Sequence, residues 1–137
     1  MSKYQVMQTV LSDQQFLVEA LQEMGYTPEV FPGGAALYGF EGHERSERAH
    51  IIIRRRQLDS ASNDIGFVRG ENGVYRAIVS EYDESIGFDK AWLGRIAQTY
   101  KERQTMAIAK AKGYVFQGRS VIQTPQGKKV QLRFAVR

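Results

Sequence analysis

The strongest constraint on the fold is a run of five short β-favouring segments, Thr27–Phe31, Ala35–Phe40, Ala49–Arg55, Ile65–Arg69 and Tyr75–Val79, held between two helical patterns. Each is too short to bury a helical stripe, and turn residues separate them. Pro32-Gly33-Gly34 lies between the first two and Glu71-Asn72-Gly73 between the last two. Asn-Gly tolerates positive φ at both residues and is a strong hairpin signal. Hairpins in succession give an antiparallel meander. Within Tyr75–Val79, Tyr75, Ala77 and Val79 point to one face while Arg76 and Ile78 point to the other.

The flanking segments complete the expected order. Lys3–Val10 reads as a first strand. Ser12 begins a helix, with Gln15 at capping-box spacing, and Phe16, Leu17, Ala20, Leu21 and Met24 form one apolar stripe that Gly25 ends. A second helix runs from near Asp89 towards Lys112 and stops at Gly113, with Trp92, Leu93, Ile96, Tyr100, Ala107 and Ala111 as its inward face. Tyr114–Gln123 and Lys128–Arg137 then flank Thr124-Pro125-Gln126-Gly127 as a closing hairpin. The order β-α-β-β-β-β-β-α-β-β predicts the α+β class, a mainly antiparallel sheet with two helices. With 137 residues and no linker, repeat or low-complexity stretch, one domain over residues 1–137 is expected.

The inventory for chemistry is thin. There is no cysteine, which excludes disulfides, thiolate metal sites and a cysteine nucleophile. His43 and His50 are the only histidines, and the segment Glu41–Arg48 lacks the second histidine that a zinc-protease helix needs, so it reads as a solvated loop. No Walker loop or dinucleotide fingerprint occurs. Asn63 and Asp64 read as turn formers bonding their own backbone, and an enzyme reading has only Asp59, Asp64 and His43 to draw on. No catalytic residue, metal or cofactor is assigned. Met1–Val10 is polar and no apolar run approaches the ~20 residues that a membrane span needs, so a cytoplasmic protein is expected.

Charge is distributed unevenly. Lys101–Arg137 holds nine Lys or Arg against Glu102 alone, a net +8, which leaves −4 on residues 1–100. A basic surface on the last third suits an anionic partner; the alternative is that it covers the acids Glu81, Asp83, Glu84 and Asp89 within the fold. Candidate binding residues are Arg119, Lys128, Lys129, Arg133 and Arg137, with Tyr114 and Phe116 as aromatic neighbours able to stack on unpaired bases if exposed. Arg54, Arg55 and Arg56 form a second basic group. On a strand, Arg54 and Arg56 share one face, either gripping phosphates or discouraging edge pairing, and one of the three can be a buried, paired arginine.

Several phrases carry a resemblance. They are the N-terminal strand with Val6 and Thr9, the helix ending Ala20-Leu21-Gln22-Glu23-Met24-Gly25-Tyr26, Ile51-Ile52-Ile53-Arg54, Asn63-Asp64-Ile65-Gly66-Phe67, Tyr75-Arg76-Ala77-Ile78, the Trp92–Tyr100 helix and the Gly113-Tyr114 hairpin. Together they resemble, over the full length, a family of small proteins of unknown function found as a conserved reading frame in cyanobacteria, other bacteria and red-algal plastids. Asp64-Ile65-Gly66-Phe67 is the most specific phrase, while Ser2-Lys3-Tyr4 departs from the commoner Ser-His-Phe start. The resemblance implies an accessory or adaptor role beside an AAA-type ATPase, and transfers no catalytic residue. The expected function is therefore a non-enzymatic protein-binding adaptor. Its alternative is an RNA or single-stranded nucleic-acid module using the basic last third.

Overall fold

Strand β1 (Tyr4–Gln8) leads through helix α1 (Gln14–Glu23) into a meander of β2 (Glu29–Tyr38), β3 (Glu44–Ile53), β4 (Ile65–Arg69) and β5 (Tyr75–Ser80). In the computed structural model, which describes residues 2–136, these strands form one sheet of order β1-β5-β4-β3-β2 with every pair antiparallel. A short helix α2 (Glu81–Ser85) and a long one α3 (Lys90–Ala111) follow, and β6 (Tyr114–Thr124) pairs with β7 (Gly127–Val136) in a separate two-stranded sheet. The class is α+β. The chain divides into two compact units, one ending at Tyr100 and one beginning at Lys101.

Local chemistry explains most element ends. Asp13, one residue beyond the expected Ser12, caps α1 by accepting from the Phe16 N–H at 3.2 Å. Asp89 does the same for α3 through the Trp92 N–H at 3.1 Å, and Gly113, at φ 79°, lets the chain leave that helix left-handed. Ser80 caps α2.

The order differs from expectation in four places. Thr27–Phe31 and Ala35–Phe40 are not two strands but one, because Pro32-Gly33-Gly34 is looped out of β2 while pairing with β3 continues on both sides, Val30 opposite Ile51 and Ala35 opposite Ala49. Glu41–Arg48 is not a loop. A tight turn through Gly42, at φ 83°, returns the chain at His43, and Glu44–Arg48 alternates exposed and half-buried residues as part of β3. Strand β3 ends at Ile53, so Arg55–Gln57 forms a single 3-10 turn rather than a strand end. Among the described residues there are thus four strands between α1 and the later helices, and α2 is a further element that the expected order lacks.

In the first unit both faces of the sheet carry an apolar cluster. Against one face, Met7, Ile51, Ile53, Phe67, Ala77 and Val79 pack with Leu17, Ala20 and Leu21 of α1 and with Trp92, Leu93, Ile96 and Tyr100 of α3. Trp92 sits edge-on to Tyr26 and Phe88. The opposite face carries a smaller cluster of Leu37, Ala49, Ile52 and Ile78. Beyond Tyr100 the expected stripe fails, since Ala107 and Ala111 are exposed and Ala109 is buried.

Gly66 is where the second cluster closes on the sheet. A Cβ there would lie 2.5 Å from the Ala49 Cβ and 3.0 Å from Leu37 Cδ2, closer than carbon atoms pack. Gly66→Ala is therefore expected to destabilise the protein by about 1–3 kcal/mol through overpacking. Chemical denaturation checks this, and pairing it with Leu37→Ala should recover part of the loss.

Candidate functional site

Asn63 and Asp64 do not bond their own backbone, as turn formers would. Both are buried and reach distant segments. The Asp64 carboxylate accepts from the Tyr38 N–H at 2.8 Å, the Arg55 N–H at 2.8 Å and Arg54 Nη1 at 2.9 Å. Its main chain donates to the Tyr38 carbonyl and accepts from the Tyr4 hydroxyl at 2.7 Å. Asn63 accepts from the Phe40 N–H, while its amide donates to Ser80 Oγ and to Asp83 Oδ2. Asp83, itself fully buried, also accepts from the Ser80 hydroxyl at 2.6 Å and the Asn63 N–H. This cluster fixes the β2–β3 arm to β1, to β5 and to α2.

Arg54 is the paired arginine of its trio, half-buried rather than buried. Partial burial works against its charge, yet hydrogen bonds to Asp64 and to Glu29, at 2.7 Å, outweigh this and raise its pKa further. Its guanidinium also lies 5.4 Å from the Phe31 ring centre and 5.8 Å from that of Tyr38. Because β3 has already ended, Arg54 and Arg56 do not share a strand face. All three arginines instead line one cleft of about 440 Å³ with Tyr38, Gly42 and Asp64. Asp59 is an exposed carboxylate held by the Tyr82 hydroxyl, which lowers its pKa and raises that of Tyr82. Asp59, Asp64 and His43 share no hydrogen-bond partner, so they are not assembled as an acid–base group. Among the described residues no group of three or more His, Asp or Glu is placed to hold a metal ion, and no helix is long and apolar enough to cross a membrane.

The second unit presents a different surface. Residues facing each other across the β6–β7 ladder share a side, and successive pairs alternate. One side carries Tyr114 with Val136, Phe116 with Phe134, Arg119 with Leu132, Val121 with Val130, and Gln123 with Lys128. The other carries Val115, Ser120, Ile122, Lys129, Gln131 and Arg133. The first side is dominated by large apolar groups that remain in contact with water: Phe116 is 43%, Val121 51% and Val136 79% exposed. The Phe116 and Phe134 rings meet edge to face at 5.7 Å, so the aromatic end is already ordered.

The candidate residues of the last third are therefore split. Tyr114 and Phe116 are exposed, but the nearest base on their side, Arg119, is paired with Glu102 at 2.5 Å. Lys128 shares that side at the far tip, about 20 Å from Phe116 at the usual strand rise. Lys129 and Arg133 face the other way, with the Arg133 guanidinium lying over Gly118. Arg137 lies outside the described residues. Base stacking beside phosphate neutralisation needs both groups on one surface; of the basic candidates only Arg119, already paired with Glu102, and Lys128 at the far tip share the aromatic side.

Sequence reasoning missed Ser80, Asp83 and Tyr4 as partners of the polar cluster. Ser80 and Asp83 had a local signal, the three-residue spacing of a side-chain cap; Tyr4 had none.

Comparison with known proteins finds one family model, described as "Protein of unknown function (DUF1257)", that matches residues 20–130. No curated protein matches, and no solved structure matches.

Two outcomes follow from the polar cluster. Asp64→Ala leaves Arg54 and two backbone N–H groups without their acceptor and is expected to cost about 3–5 kcal/mol in denaturant unfolding. Burial, followed by the nearby Asp64 charge, raises the Tyr4 pKa well above its usual 10. The neutral phenol is thus favoured in the folded state, and its stabilisation, complete below pH 10, is lost as pH rises past that value. Between pH 10 and 11 the wild type should lose about 1 kcal/mol more than Tyr4→Phe. Equal alkaline losses in the two proteins would contradict the assignment.

Proposed function

The chain belongs to the DUF1257 family, whose description assigns no activity, and we propose that it acts without catalysis, as an adaptor that captures a partner protein on the apolar side of its terminal hairpin. The observation that carries this reading is the exposure of Phe116, Val121 and Val136 on one side of a two-stranded sheet. Two strands alone are marginally stable in water, and a contiguous apolar patch of this kind is characteristic of an interaction surface. Among the described residues no further strand pairs with either outer edge of the hairpin, leaving backbone groups available to an added strand. Tyr114 and Phe116 supply rigid anchors, and Arg119 and Lys128 a charged rim.

An AAA-type ATPase is the first partner to offer, as the sequence resemblance implies. A nucleic-acid partner is less well supported, because Lys129 and Arg133 face away from the aromatic side and Arg119 is already paired with Glu102.

The test is capture by the tagged full chain at low salt, with and without nuclease, followed by identification of what is retained. A defined protein should persist after nuclease treatment and fall at least tenfold with Phe116→Ser or Val121→Ser. Both variants should melt close to the wild type, since these side chains are exposed. Recovery that disappears with nuclease, or that ignores both substitutions, would overturn the reading.

A further inference from the structure

The arginine cleft of the first unit is independent of the hairpin and has a charge balance of its own. Two carboxylates, Asp64 and Glu29, are bonded to the single guanidinium of Arg54. Arg55 donates to the Phe40 carbonyl, and its Nε, although buried, has no acceptor. Arg56 is exposed and has no acceptor among the described residues. Arg55 and Arg56 thus have no carboxylate bonded to them, while the three arginines with Asp64 and Glu29 together carry a net charge of +1.

The walls are suited to a bound molecule rather than to side-chain packing. Gly42 sits in a tight turn at φ 83°, and a Cβ built on it meets nothing within 4 Å, so the backbone approaches without narrowing the opening. Tyr38 adds a partly exposed flat ring. A volume of about 440 Å³ falls within the range of small-molecule sites. The bonds from Asp64 to the Arg55 N–H and to Arg54 fix the start of the 3-10 turn, so the arginine-bearing backbone is held before any ligand arrives.

The geometry points to a binding site for a small ligand carrying a phosphate-class oxyanion, seated between the side chains of Arg55 and Arg56. Planar guanidinium forks match phosphoryl oxygens in pairs, and the net positive charge of the cleft favours an anion that offers several such oxygens. Arg54 acts as a positioning residue: held by Asp64 and Glu29, it supports the Tyr38 wall.

The experiment is isothermal titration of the full chain with inorganic pyrophosphate and, separately, with ADP, at low ionic strength in phosphate-free buffer. Saturable one-to-one binding is expected. Arg56→Gln should weaken it at least tenfold without moving the melting temperature, whereas Lys129→Gln on the hairpin should leave it within twofold. Tighter binding of ADP than of pyrophosphate, with the advantage lost in Tyr38→Leu, assigns a ring-bearing ligand to the cleft. Equal binding of the two, still sensitive to Arg56→Gln, assigns a phosphate compound without a ring. No saturable binding by either probe, or an Arg56→Gln protein that titrates like the wild type, would overturn the site.

Discussion

A carboxylate withdrawn from water is tolerated only where its oxygens meet donors strong enough to replace the solvent. Asp64 meets that condition with three donors drawn from two segments, the end of β2 and the start of the 3-10 turn. Its main chain ties in a third, through the Tyr4 hydroxyl. None of these partners can move alone without leaving a buried polar group unpaired. The fold around them is correspondingly determined: the β2–β3 arm must lie over the second face of the sheet, Leu37 must approach Gly66, and the chain must turn after Ile53 to present the Arg55 N–H. The same constraint decides which arginine is structural. Arg54 is tied to carboxylates, while Arg55 and Arg56 are left facing the cleft.

Much of the architecture was legible because it is written in local chemistry. Asp89 and Gly113 mark the ends of α3, Gly25 ends α1, and Pro125-Gln126-Gly127 marks the terminal turn; each signal acts within a few residues of its effect. Tyr75–Val79 was equally plain, since alternation fixes which side chains face the helices. The misread stretches are those where a local signal has two outcomes. Pro32-Gly33-Gly34 has the composition of a turn, but it also suits a bulge at a sheet edge, where a missing N–H costs nothing to a neighbouring strand. Glu44–Arg48 is too charged to look like a strand, yet its alternation is that of a strand with little to bury.

The binding features were legible only as residue types. The basic last third and its aromatics could be counted, but their division between the two sides of a hairpin depends on register, and register depends on the bulge between Phe116 and Gly118. One extra residue there places Arg119, rather than Ser120, on the side of Phe116. Asn63 and Asp64 were misjudged for a related reason. Their type suits a turn, whereas several of their partners, Asp83, Phe40 and Tyr38, lie 20 residues or more away, beyond the reach of any neighbour-based rule.

The position of β1 bears on how the sheet is assembled. Strands β2 to β5 can pair one hairpin at a time, each closing a short loop, whereas β1 must find β5 across nearly the whole first unit, and Tyr4 must find Asp64 at a separation of 60 residues. Closing a loop ten times longer costs about 2 kcal/mol more in chain entropy. The meander therefore supplies a template, and β1 docks on it late, carrying with it the hydroxyl that completes the polar cluster. Loop entropy alone thus makes the amino-terminal edge the costliest part of this sheet to close, and the arm of β2 a cheaper one.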